Sequence, residues 1–183
     1  MTDTRSEPKS DVSGRGLSRP VAIAAVVAVL GASAVLGRRN APDPSHPGIR
    51  RWYRQLDKPA YTPPDAAFGA VWPVLETGLS IGGYRLLRQP AGSSRNVAIG
   101  LWLLNTAMVG GWTELFFRKK KLGSSAVASA AMIGSGAGYV VAAAKVDRTA
   151  AATAVPFVAW LGFATLLAGG IWRRNRVTDD AGA

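Results

Sequence analysis

The strongest constraint on this chain is where its charges are absent. Long apolar runs alternate with short, mostly basic blocks. The uncharged run "PVAIAAVVAVLGASAVLG" at 20–37 is followed by Arg38-Arg39. The block Arg118-Lys119-Lys120-Lys121 precedes 122–144, a run made almost wholly of Ala, Gly, Ser and Val. A soluble domain interleaves charge with apolar residues at the period of its half-buried elements. Charge gathered between apolar runs of about 20 residues is instead the pattern of a polytopic membrane protein. The average hides it, because hydrophobic residues make up an ordinary 48% of the 183.

The same pattern reads as an all-α integral membrane protein, a five-transmembrane-helix bundle, with helices at 20–37, 64–87, 97–117, 122–144 and 150–172. Residues 1–19 are a polar tail expected to be disordered. Residues 38–63 form a long first loop, and 176–183 a C-terminal tail. The tail and first run also fit a signal peptide, but the later spans favour a retained first helix. Pro63-Pro64 suits the start of the second helix, where a missing N–H costs nothing. Lys and Arg number thirteen in the first loop, third loop and C-terminal tail against nine on the other side. The positive-inside rule then predicts a multi-pass cell-membrane protein with its N-terminus outside and C-terminus cytoplasmic.

Several chemistries are excluded. With no Cys there is no disulfide, thiolate nucleophile or Fe–S cluster. The single His46 lies in a Pro-rich stretch and reads as a solvated side chain. No hydrolase triad, Walker loop or metal-ligand cluster is present, so no metal and no required cofactor are expected. The net charge of +11 would suggest nucleic acid in a soluble protein. Here the cations flank apolar runs, and juxtamembrane anchoring explains them better.

The candidate site residues are aromatic. Trp72, Trp102, Trp112 and Trp160 fall in predicted helices, and Trp172 precedes Arg173-Arg174. An aromatic belt accounts for Trp172 and extends to Trp102. It does not account for Trp160, which is mid-helix and needs a partner for its N–H. Glu76 is a mid-helix carboxylate, by default a functional candidate; the alternative is a hydrogen-bonded Glu joining helices. Glu114 sits near a helix end and can reach the adjacent lysines. Ala126, Ala130, Gly134 and Gly138 form a small-residue stripe suited to close helix approach, within the bundle or between protomers. A site of Trp, Tyr and Pro suits a flat apolar ligand.

The stretch "WYRQLDKPAYTPP" at 52–64, followed by "FGAVWPVL", resembles the first-loop and second-helix signature of the TspO family of tryptophan-rich sensory proteins. "WTELFF" at 112–117, "VDRTAAATAVPF" at 146–157, "WLGFATLL" and "IWRRN" extend the resemblance to Asn175. The family implies five transmembrane helices, a homodimer, and a pocket beneath the first loop that takes tetrapyrroles such as protoporphyrin. By resemblance, Trp72, Trp112, Trp160, Ala164 and Leu167 match the pocket, and Trp52, Tyr53, Pro63 and Pro64 the lid over it. Lys58 or the first-loop arginines are the candidate partners for ligand carboxylates. The family's Tyr after Leu75 is Glu76 here, and its helix-three Gln is Asn105. The resemblance thus implies a receptor or transporter-like porphyrin binder with a stress or tetrapyrrole regulatory role. Two alternatives stand behind it: light-dependent porphyrin degradation beside Trp72 and Trp160, and a non-catalytic membrane scaffold.

Overall fold

The structure is a computed structural model and describes residues 14–176; the expected disorder of the N-terminal tail falls largely outside them, and the C-terminal tail almost wholly so. Among the described residues there are seven α-helices, one π-helical turn and no strand. The helices are α1 (Arg19–Asn40), α2 (Pro47–Gln55), α3 (Asp65–Arg88), α4 (Ser93–Thr113), α5 (Leu122–Ala144), α6 (Arg148–Ala152) and α7 (Val155–Arg174). The π-turn, Glu114–Arg118, continues α4.

Three stretches are long and apolar enough to cross a membrane, by length and composition: Arg19–Asn40, Leu122–Ala144 and Arg148–Arg174. α3 and α4, at 24 and 21 residues, are of comparable length but more polar. The count of five helices needs two corrections. The first loop contains α2, begun by Pro47 in its first turn, because a nine-residue polar helix leaves no apolar run to detect. The predicted helix at 150–172 is divided into α6 and α7. Pro156 lies in the first turn of α7. It has no N–H for the carbonyl four residues back, so the helix restarts there. Asp147 caps α6 by accepting from the Ala150 N–H at 2.9 Å.

The bundle is closed by α1 packing on α3 and α4, α4 on α5, α5 on α7, and α3 returning to α6 and α7. Its outer surface is apolar: Val27, Val74, Val127, Val141 and Leu166 are all more than half exposed. Such a belt would be a liability in water and is the expected surface in lipid. Close approaches rest on glycine. Trp102 is buried and donates its indole N–H to the Leu79 carbonyl at 3.0 Å. Its ring lies on Gly83, where any Cβ would enter the indole. Trp102 is therefore core, not belt. On α5 the close glycines are Gly123, whose added Cβ would meet the Trp172 indole at 2.9 Å, and Gly136, whose added Cβ would meet Val158 at 3.1 Å. Gly134, from the predicted small-residue stripe, has nothing near it and faces outward.

A polar knot fastens one end of the bundle. Arg85 Nε donates to both Asp147 oxygens, at 2.9 and 3.0 Å, and Gln89 adds a third bond at 3.2 Å. Asp147 is buried while Arg85 stays partly solvated. Burial pushes the Asp147 pKa up; the Arg85 hydrogen bonds, the Ala150 N–H and the guanidinium charge more than reverse this, so the carboxyl titrates below its ordinary value.

Candidate functional site

At the other end, α2 lies across the bundle with two unlike faces. The chain around it is shaped by Pro44 and Pro47 on one side and Pro63-Pro64 on the other, with Pro64 preceding the first turn of α3. The inward face carries Trp52 and Tyr53. Both meet Phe116 of the π-turn edge-on, at 6.0 and 6.4 Å between ring centroids. Phe116 is buried and stacks on Trp112 at 4.8 Å and 17°. Phe117 closes the group, 5.4 Å from Tyr53. Leu167 and Ile171 of α7 pack into the same cluster. The π-turn shifts the registry of the side chains following Thr113, and it presents Phe116 and Phe117 together toward α2.

Several side chains tie the segment after α2 to α7, among them Arg174, which pairs with the Asp57 carboxylate at 3.7 Å. Asn175 accepts from the Asp57 N–H at 3.1 Å and donates to the Asp57 carbonyl at 2.9 Å. Tyr61 adds a bond to the Leu166 carbonyl at 3.2 Å. Lys58 Nζ lies over the Tyr53 ring, 4.5 Å from its centroid. Burial, with the negative charge of Asp65 adding to it, pushes the Tyr53 hydroxyl up to about 12, so it remains a neutral phenol. Burial lowers the Lys58 pKa, and Asp65 opposes this.

The predicted site residues thus divide. Trp52, Tyr53, Trp112 and Leu167 converge on one cluster. Trp160 is linked to it through Phe68 at 5.8 Å and Phe163 at 5.2 Å. Ala164, half-buried, lies one turn beyond Trp160 on α7. Trp72 packs against the larger core cluster instead. Asn105 is fully buried and occupied, donating to the Leu101 carbonyl at 2.8 Å and accepting from Ser135 at 2.9 Å. Among the described residues the half-buried Glu76 side chain makes no hydrogen bond or ion pair; the cation acting on it is Arg38 of α1, whereas Trp160 is on α7. Trp112 donates to the Ser125 carbonyl at 2.9 Å, which fixes its ring. Two open clefts flank α2 and the end of α7, and neither is lined by Trp72, Trp112 or Trp160.

The sequence profile of the TspO/MBR family matches residues 22–173, from the first turn of α1 to the last of α7. The chain belongs to the TspO/MBR family. With the family goes an integral membrane location. The human translocator protein is 32% identical over 127 residues, covering 68% of this chain and 75% of that protein. A protein named CrtK from Rhodobacter capsulatus is 27% identical, covering 68% and 78%. The tryptophan-rich protein TspO of Bacillus cereus is 26% identical, covering 69% and 82%.

Within this TspO/MBR chain, sequence reasoning missed three working residues. Phe116 was visible only as part of "WTELFF", and nothing in a pattern of consecutive rings says which one is central. Asn175 closed a quoted motif but had no partner until the chain folded. Asp147 was likewise quoted in "VDRTAAATAVPF"; an acid two residues before Thr149 at a helix start is a capping signal and could have been read.

Proposed function

We propose that this protein is a five-span membrane receptor, transporter-like in character, that binds tetrapyrroles or similar flat apolar ligands beneath α2. The observation carrying this reading is the convergence of Trp52, Tyr53, Trp112 and Leu167 on one aromatic cluster under the first loop. α3 and α4 would complete the five spans: at 1.5 Å per residue they extend about 36 and 31 Å, enough for a hydrocarbon core of about 30 Å. The names translocator protein and tryptophan-rich protein TspO, borne by relatives, fit a transport or sensory role. In the present arrangement the rings satisfy one another. Ligand entry therefore requires α2 to lift, and a porphyrin would replace the edge contacts of Trp52 and Tyr53 with its own face. Lys58 would leave the Tyr53 ring for a ligand carboxylate. Trp160, reached through Phe68, would line the deeper part. The basic lid end and C-terminus lie in the cytoplasm on this reading, and a homodimer would use the outward small face of α5 at Ala130 and Gly134.

Tryptophan fluorescence of the full chain in neutral-lipid nanodiscs, titrated with protoporphyrin, tests the reading. Saturable quenching that weakens in a Trp52→Ala, Trp160→Ala variant is expected. Quenching that never saturates, or is identical in that variant, rejects it.

A further inference from the structure

The outward face of α2 is not used by the aromatic cluster. It forms one wall of a cleft of about 390 Å³ lined by Pro44, Pro47, Arg50, Arg51, Arg54 and Gln55. That volume is within the range of small-ligand sites. Three guanidinium groups share it, and none makes a hydrogen bond or ion pair among the described residues. Arg50 and Arg54 are one helical turn apart, a spacing at which like charges destabilise a helix. The nearest acids in sequence are engaged elsewhere: Asp57 pairs with Arg174 at 3.7 Å, and Asp43 is held by Ser45 and His46 in its own turn. The arrangement is frustrated unless an anion fills it. All three cations are Arg, whose planar fork binds phosphate oxygens in pairs.

The position of the cleft favours a membrane-borne anion. α2 lies where α1 ends in Arg38-Arg39, where Arg118–Lys121 follows α4, and where α7 ends in Arg173-Arg174. Among the described residues, thirteen Lys and Arg stand at this end against Asp43, Asp57, Asp65 and Glu114. Directly before the cleft, the last turns of α1 leave Val35 and Leu36 50% and 40% exposed. We propose that the cleft holds the phosphate headgroup of an anionic phospholipid, whose acyl chains run along α1 at Val35 and Leu36. Because the opposite face of α2 carries Trp52 and Tyr53, a bound headgroup holds the lid down on Phe116. Anionic lipid thereby becomes a regulator of access to the aromatic cluster, whatever ligand that cluster takes.

Native mass spectrometry of the full chain in neutral detergent, mixed with equal phosphatidylglycerol and phosphatidylcholine, tests this. The wild type should retain phosphatidylglycerol in preference. Arg50→Gln, Arg51→Gln, Arg54→Gln together should weaken retention about tenfold. The corresponding triple Lys variant, which keeps charge but loses the fork, should also lose most of it. Arg118→Gln, Lys119→Gln, Lys121→Gln, which removes the same charge from the same end, should change retention less than about twofold. Full retention by the Lys variant, or equal loss in the second Gln triple, would reduce the site to diffuse charge and overturn the proposal. Displacement of the lipid by inorganic phosphate, or by an acidic peptide at equal concentration, would overturn the lipid as occupant. Near-ultraviolet circular dichroism of each variant separates loss of binding from loss of fold.

Discussion

Phe116→Ala should release α2 while leaving the bundle folded. The ring is 2% exposed and touches Trp112, Trp52, Tyr53 and Phe117. Truncating a buried Phe to Ala costs about 3–5 kcal/mol in water-soluble cores. Here the rings freed by lifting α2 meet the membrane interface rather than bulk water, which lowers the figure to about 2 kcal/mol. At 1.4 kcal/mol per decade, opening of α2 becomes roughly 25- to 30-fold more frequent. Hydrogen exchange of the α2 amides reads this directly, since local opening sets their protection. Phe116→Leu retains most of the volume and should show less than about a third of the free-energy effect. Amides of α5 and α7 should be unaffected. Unchanged α2 exchange in a folded Phe116→Ala protein would refute the claim that the cluster holds the lid. Equal acceleration in every helix would refute its being local.

Three further outcomes are expected. Asp147→Ala removes four hydrogen bonds, one of them the α6 cap, and should cost about 2 kcal/mol at neutral pH. Because the native carboxyl titrates below its ordinary value, its contribution is complete above that value and vanishes as pH falls through the native one. The gap in melting temperature from wild type should therefore close in acid. Gly83→Ala places a methyl inside the Trp102 indole and should destabilise by about 1–3 kcal/mol, read as a lowered melting temperature in detergent. Asn105→Ala should cost about 1 kcal/mol through its lost bond with Ser135 and leave protoporphyrin quenching unchanged, since its amide is spent on helix packing.

What the sequence disclosed followed the physics that each signal reports. α5 was legible to the residue because a Lys block precedes it and Lys145 follows, and charge marks where an apolar helix leaves the membrane. The lid rings Trp52 and Tyr53 were legible because their order with Lys58, Pro63 and Pro64 resembles the first-loop signature of one family. Facing was not legible. Trp102 and Trp172 are both tryptophans near helix ends by sequence, yet one sits under Gly83 in the core and the other at the rim with Arg176 4.6 Å over its ring. Nor does a charge pattern say that Gly136 makes a close contact and Gly134 none, because both lie in a run that is small and apolar all round. The candidate site suffered most at Asn105 and Glu76, where residue type suggested a ligand contact and partners decide the role. Ser135, which occupies Asn105, lies on α5, and Arg38, the charge acting on Glu76, lies on α1, both far away in sequence.

The Asn175 clasp has a consequence for how this chain can change over time. Its amide meets the N–H and C=O of residue 57, groups that every amino acid except proline supplies. Changing the side chain of Asp57 would lose only its exposed ion pair with Arg174 at 3.7 Å and leave both Asn175 bonds in place. Position 175 has no such freedom: an acid lacks the donor, a hydroxyl is too short to satisfy both groups, and only Gln repeats the chemistry, on a longer arm. One end of the fastening is thus written in the backbone and tolerant, and the other in a single side chain and fixed. Variation in the lid segment should accumulate around residue 57 long before it reaches the asparagine that holds it.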